Sequence, residues 1–212
     1  MAKTYIDKLI SLGSHAFSEV PAMLSPEVHR LAGDVSQSLV YMLRKKNGFF
    51  AFESALRVFP TVRTVQSYSV SEWNSPELWM NEYHELMEDA LFFGEDVFGV
   101  QFCVKNGKIF SFDPETAEFS FMADTLELWA KMVLSEFDIL TGQPLAHDWQ
   151  EKNGAIPLLS RLVPKTPFVC GGAFNVTNLV ALEAVKSMRA RGNLALQIKH
   201  LPDGSKIKFE IT

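Results

Sequence analysis

Glu95 and Asp96 stand side by side, and two carboxylates flanking one bond are what glycoside hydrolysis requires. Adjacent residues of an extended strand project to opposite faces, so this pair converges only if the backbone turns between them. The other titratable groups lack partners at chemical spacing. His84-Glu85-Leu86-Met87-Glu88 begins like the zinc motif H-E-x-x-H, has no second histidine, and reads as a solvated helix face. His147 and Asp148 are neighbours on a predicted helix, where consecutive side chains diverge. Cys103 and Cys170 lie in apolar surroundings without C-x-x-C spacing, which suits reduced thiols. Gly171-Gly172 has the composition of an anion cradle before a helix and also of a tight turn, the turn being the preferred reading. The sequence contains no dinucleotide fingerprint, phosphate loop or nucleophile elbow. It predicts a chain that works without catalysis, cofactor or metal.

The elements that must position these residues change in kind along the chain. Ser25-Pro26-Glu27 is a helix start, and Leu31, Val35, Leu39 and Met42 continue it at helical spacing until Asn47-Gly48. Gly48 to Pro60 is apolar and aromatic, ambiguous between helix and strand. Ser75-Pro76-Glu77 predicts a second helix carrying Leu78, Trp79, Tyr83 and Leu86. The middle predicts an antiparallel meander. Phe92 and Phe93 belong to a first strand, and Val100–Lys105 and Lys108–Asp113 form a hairpin about Asn106-Gly107. After the turn Asp113-Pro114-Glu115-Thr116, Glu118–Met122 is the next strand. Asp124 caps a helix whose one face is Leu126, Trp129, Val133 and Phe137, and another helix covers Leu145–Asn153. Phe168–Cys170 is predicted as a strand, Asn178 to about Lys199 as a long helix, and Ile207, Phe209 and Ile211 as a last strand. Gly192 within that helix marks a break or a close packing contact. Helices, then a meander, then helices make an α+β fold, with a central, mostly antiparallel sheet wrapped by helices. Trp73, Trp79, Tyr83 and Trp129 are expected in its core before any interface.

Over 212 residues, 47% are hydrophobic, including 17 Phe and 4 Trp, which is enough for a folded core. Met1–Gly13 carries Lys3, Asp7 and Lys8 and lacks the apolar centre of a secretory signal, so a cytoplasmic location is expected. The longest uncharged stretch, Thr166–Leu182, is interrupted by Pro167, Gly171, Gly172 and two asparagines, and predicts no membrane span. The net charge of −5 conceals an asymmetry: Thr64–Asp138 holds 15 acidic and 3 basic residues, a net of −12. Such a middle repels phosphate backbones and attracts cationic partners.

The string Leu91-Phe92-Phe93-Gly94-Glu95-Asp96-Val97-Phe98-Gly99-Val100-Gln101-Phe102 resembles the central signature of the SUKH superfamily (SMI/KNR type), which includes fungal cell-wall synthesis regulators and many bacterial immunity proteins. Ser111 to Thr116, Glu127-Leu128-Trp129-Ala130, Pro167 to Gly172 with Asn178-Leu179, and Leu201-Pro202-Asp203-Gly204 extend the likeness in the same order. It covers Trp73 to the C-terminus best, Gly48 to Phe59 more loosely, and Met1 to Lys46 only as helical sequence. Ala117 stands where the family often has Gly, and Ala173 where an acidic residue is usual; the first bears on turn geometry, since Ala tolerates positive φ poorly.

The resemblance implies a single SUKH-like domain over 1–212, with 1–46 a helical extension packed on it. It also implies a bacterial immunity protein that neutralises a cognate toxin, often a nuclease, by direct binding. Because nuclease domains are cationic, the acidic middle adds a docking surface, with Glu85, Glu88, Asp89, Glu95, Asp96 and Glu115 as the expected contacts. A regulatory scaffold without a toxin and a small hydrolase using Glu95 or Asp96 are the alternative readings.

Overall fold

The computed structural model describes residues 4–202 and 204–205. Its first element, α1 (Tyr5–Leu12), opens on a reciprocal cap in which Thr4 Oγ1 accepts from Asp7 N and the Asp7 carboxylate accepts from Thr4 N. Ser25 caps α2 (Pro26–Ala32) as expected, accepting from Val28 N at 3.2 Å. The predicted single helix is broken at Gly33, whose φ of +50° leads through a short 3₁₀ turn into α3 (Ser36–Lys45). The ambiguous aromatic stretch is a hairpin, β1 (Phe49–Ala51) and β2 (Leu56–Val58). Its connection, Phe52-Glu53-Ser54, has three successive positive φ values of 52°, 55° and 69°.

After the short α4 (Val70–Trp73), the expected helix at Ser75-Pro76-Glu77 does not form. Ser75 Oγ donates to the Glu77 carboxylate at 2.6 Å instead of capping, and the chain passes through turns into a 3₁₀ helix, Met80–Leu86. Burial overrides propensity there. Trp79 lies against Trp73 and Phe92, and the Tyr83 hydroxyl donates to Pro114 O at 2.9 Å. His84 carries the cost, with φ 46° and ψ −126°.

The meander is as predicted. Strands β3 (Leu91–Glu95), β4 (Gln101–Lys105), β5 (Lys108–Phe112) and β6 (Phe119–Ala123) extend the hairpin into a six-stranded antiparallel sheet in sequence order. Lys105 pairs with Lys108 across Asn106-Gly107, whose φ values of 51° and 72° are those of the tight hairpin turn. One face of the sheet presents Phe92 and Phe112 to Trp79 and Tyr83, with Phe119 packed on those two phenylalanines; the other sets Phe93 and Phe102 edge-on against Trp129. Trp129 belongs to α5 (Leu126–Ser135), and all four predicted core aromatics are buried. Thr125, not Asp124, is the α5 cap; Asp124 forms an ion pair with Lys108 at 2.8 Å. Glu127 turns instead to α1, accepting from Tyr5 N at 2.5 Å and Ile6 N at 3.2 Å, a carboxylate on a helix N-terminus. Ile6, Leu9, Val28, Leu39 and Met42 share one apolar cluster with the sheet, so the first 46 residues and the meander have a common core.

Helices α6 (Phe137–Thr141) and α7 (Gln143–Asn153) follow; Phe137, expected on the Trp129 face of one helix, begins α6 instead and is stacked on Phe52. The C-terminal third departs most from expectation. Phe168–Cys170 is a 3₁₀ turn rather than a strand, and the strand is β7 (Ser160–Pro164). It pairs antiparallel with β8 (Leu179–Glu183), which takes the first turn of the predicted long helix. Helix α8 (Ala184–Ile198) therefore starts later, capped by Glu183, whose carboxylate accepts from Val185 N and Lys186 N. Gly192 is a close contact and not a break: a Cβ there would lie 3.0 Å from the Glu82 backbone. The predicted strand at Ile207, Phe209 and Ile211 lies outside the described residues. Among the described residues, no helix is long and apolar enough to cross a membrane.

Candidate functional site

The six predicted partner contacts divide into two groups, and the structure contradicts three of them. Glu95 is fully buried. Its Oε1 accepts from Arg57 Nε at 2.7 Å, from Arg57 Nη2, and from Arg161 Nε at 2.8 Å, while Gln101 Nε2 donates to Oε2 at 3.0 Å. Strands β2 and β3 deliver Arg57 and Glu95 as direct cross-strand partners, and β7 brings Arg161 to the same carboxylate. Burial opposes ionisation of Glu95, but the two guanidinium groups outweigh it and hold the carboxyl at about 2. Arg161 is pushed down to about 10 by burial and by the neighbouring Arg57, with Glu95 acting in the opposite direction.

Asp96 is buried also, and points elsewhere. Its Oδ1 accepts from Phe98 N and Val100 N, both at 2.8 Å, closing the turn between β3 and β4. Burial raises its carboxyl to about 8 against the pull of those two donors. The pair thus has carboxyl pKa values pushed apart, as acid–base pairs do. Yet the two groups do not converge: Glu95 is engaged by arginines and Gln101, and Asp96 by its own turn. Glu115 is the third correction. It is buried under the 3₁₀ turn at Phe168–Cys170, accepting from Val169 N at 2.9 Å, and burial pushes its carboxyl up. Gly171 and Gly172 aim no free donors at an anion, because their N–H groups bond to Phe168 O and Pro167 O. A surface contact is closed to Glu95, Asp96 and Glu115 because each carboxylate satisfies donors inside the fold.

Glu85, Glu88 and Asp89 are exposed together at the end of the 3₁₀ helix and the approach to β3. Glu85 is paired with Lys199, whose hydrogen bond lowers its carboxyl pKa, and Glu88 with Lys105 at 2.8 Å. Asp89 forms no ion pair among the described residues. Glu88 and Asp89 join Glu27, Arg30, Asn74 and His84 around an open cleft of about 720 Å3 between α2 and the 74–90 segment. Among the described residues, no group of three or more His, Cys, Asp or Glu side chains is arranged to hold a metal. His147 Nδ1 lies 2.7 Å from Glu53, which raises the imidazole pKa, and the contact fastens the positive-φ turn of the first hairpin to α7.

Arg57 and Arg161 are the site residues that sequence reasoning missed. Each is a lone charge inside an apolar run, Ala55-Leu56-Arg57-Val58-Phe59 and Leu158-Leu159-Ser160-Arg161-Leu162-Val163. A long cation in such surroundings signals a buried, paired charge, and two of them call for a carboxylate between.

No family model matches the chain, and no curated protein does. Among solved structures it is similar to the crystal structure of Atu4351 from Agrobacterium tumefaciens, with a TM-score of 0.55 and 12% sequence identity over 87% of this chain and 86% of that one. At that identity the likeness shows a shared α+β fold and nothing finer.

Proposed function

We propose that the protein is an immunity protein of the SUKH type, which binds a cationic toxin domain and blocks it. The observation that carries this reading is the exposed group Glu85, Glu88 and Asp89 beside the cleft that Glu27 also lines. Carboxylates at the mouth of an open cleft raise the local concentration of a basic partner and speed its docking. The buried Glu95 cluster supports a binding role too, because its groups are spent on rigidity: Arg57, Glu95 and Arg161 lock the hairpin, the meander and β7 to one another. A binding surface held on a stiff scaffold loses little entropy on association.

The test is the association rate of the purified chain with the product of the neighbouring open reading frame. Replacing Glu85, Glu88 and Asp89 together by Lys is expected to slow association by about tenfold or more and to weaken its salt dependence. Unchanged rates at low salt would remove these residues from the interface.

A further inference from the structure

The two edges of the main sheet are treated differently. The β1 edge is closed by the preceding chain: Ser14 N donates to Phe50 O at 2.7 Å, Phe17 N to Gly48 O at 2.8 Å, and Ser18 N to Asn47 O at 3.2 Å. Among the described residues the β6 edge is open: its strand partner is β5 alone, and no backbone hydrogen bond reaches Phe119–Ala123 from the far side. Open edges are normally blunted by lysine, proline or a bulge; Phe119-Ser120-Phe121-Met122-Ala123 contains no lysine or proline, and its bulge falls at Met122, leaving Phe119–Phe121 in regular register. Phe121 is 55% exposed and Leu128 on α5 46%. Both line a groove of about 340 Å3 between the edge and α5, together with Met122, Met132, Lys131 and Glu136. The one irregularity of β6, a bulge, places Met122 in that groove.

We infer that β6 is a docking edge, to which an extended segment of the protein partner adds as a seventh strand, with Lys or Arg on either side of an apolar centre. This rests on the partner-binding reading above and says which part of the partner is held, and where. The hydrogen-bonding edge specifies a strand, and the exposed Phe121 and Leu128 specify its apolar centre. The flanks specify charge. Glu118 and Asp124 bracket the strand, with Glu136 and Asp138 exposed beyond α5, against Lys108, Lys131 and Lys105, the last lying over the Phe119 ring and paired with Glu88. Lys108 is already paired with Asp124. A second copy is the poorer occupant: antiparallel pairing of β6 with itself about Phe121 would set Glu118 opposite Asp124, like charge against like.

The experiment uses the full chain, isotopically labelled for amide exchange, with a blocked nonapeptide of Val-Thr-Val-Thr-Val carrying two lysines at each end. Saturating peptide is expected to slow exchange of the outward-facing β6 amides by about tenfold, at least. The same peptide with alternate amides N-methylated should leave them unchanged. Phe121→Thr, a change at an exposed position, should weaken peptide binding by about fivefold or more while leaving the fold's other amides unaltered. Three results would overturn the inference. One is β6 amides already protected in the peptide-free chain, by the chain itself or by a second copy. Another is a response confined to residues 82–89, which would leave the partner-binding reading standing with a different surface. The third is no response anywhere at millimolar peptide, in which case protection of cells from a toxin still decides the broader reading separately.

Discussion

At the scale of single residues, Glu95 matters most and for a reason its neighbours in sequence conceal. A carboxylate beside Asp96 invites a catalytic reading, whereas burial between Arg57 and Arg161 makes it the hub of an ion cluster. Removing its charge would strand two buried guanidinium groups, so Glu95→Gln is expected to cost about 3–5 kcal/mol at neutral pH, read by denaturant unfolding. The native carboxyl is held at about 2, below its ordinary value of 4.5. Its contribution is therefore complete above pH 4.5 and lost as pH falls toward 2, on the order of 3 kcal/mol in all. Glu95→Gln should lack that acid-dependent loss. The two thiols give a second check. Cys103 is buried, and burial pushes its pKa up, while Cys170 is exposed in the 3₁₀ turn. A thiol reagent added to the native protein should label Cys170 quickly and Cys103 only on unfolding. Equal rates would show that the strand bearing Cys103 opens.

At the scale of elements, local chemistry made some parts legible and tertiary packing hid others. Asn106-Gly107 prescribes its own turn through positive φ, and alternating Phe119 and Phe121 prescribe a strand, so the meander was readable. The 75–86 segment was not. Its Ser-Pro-Glu start is a helix signal, but the chain winds tighter, His84 takes a strained conformation, and Trp79 and Tyr83 are buried. Leu179–Glu183 likewise has helical composition and is drawn into a strand by pairing with β7. Ala117 illustrates the opposite case: it adopts φ +61° where the resemblance leads one to expect glycine, so the turn geometry persists despite the side chain. Gly172 leaves no such latitude, since a Cβ there would stand 1.9 Å from Thr166 O. Gly172→Ala should destabilise by about 2 kcal/mol or more and speed amide exchange across residues 166–178. An unchanged melting temperature and exchange pattern would mean that this turn is looser than its geometry states.

At the scale of the whole molecule, charge and fold divide the work. The sequence showed an acidic middle but not its partition: three of its expected contacts are interior struts, and three are surface. That partition was hidden because Arg57 and Arg161 lie far from Glu95 along the chain and meet it only through sheet pairing and the β7–β8 hairpin. What remains outside, among the described residues, is a ridge at Glu85, Glu88 and Asp89 and an open, acid-flanked strand edge. Both suit a basic protein partner. The central claim is therefore most directly tested by growth of cells producing the product of the neighbouring open reading frame, with and without this chain. Neutralisation by binding predicts that the chain restores growth against that product and forms a complex with it at equimolar concentration. Cells that die equally in both cases, with no complex formed, would contradict it.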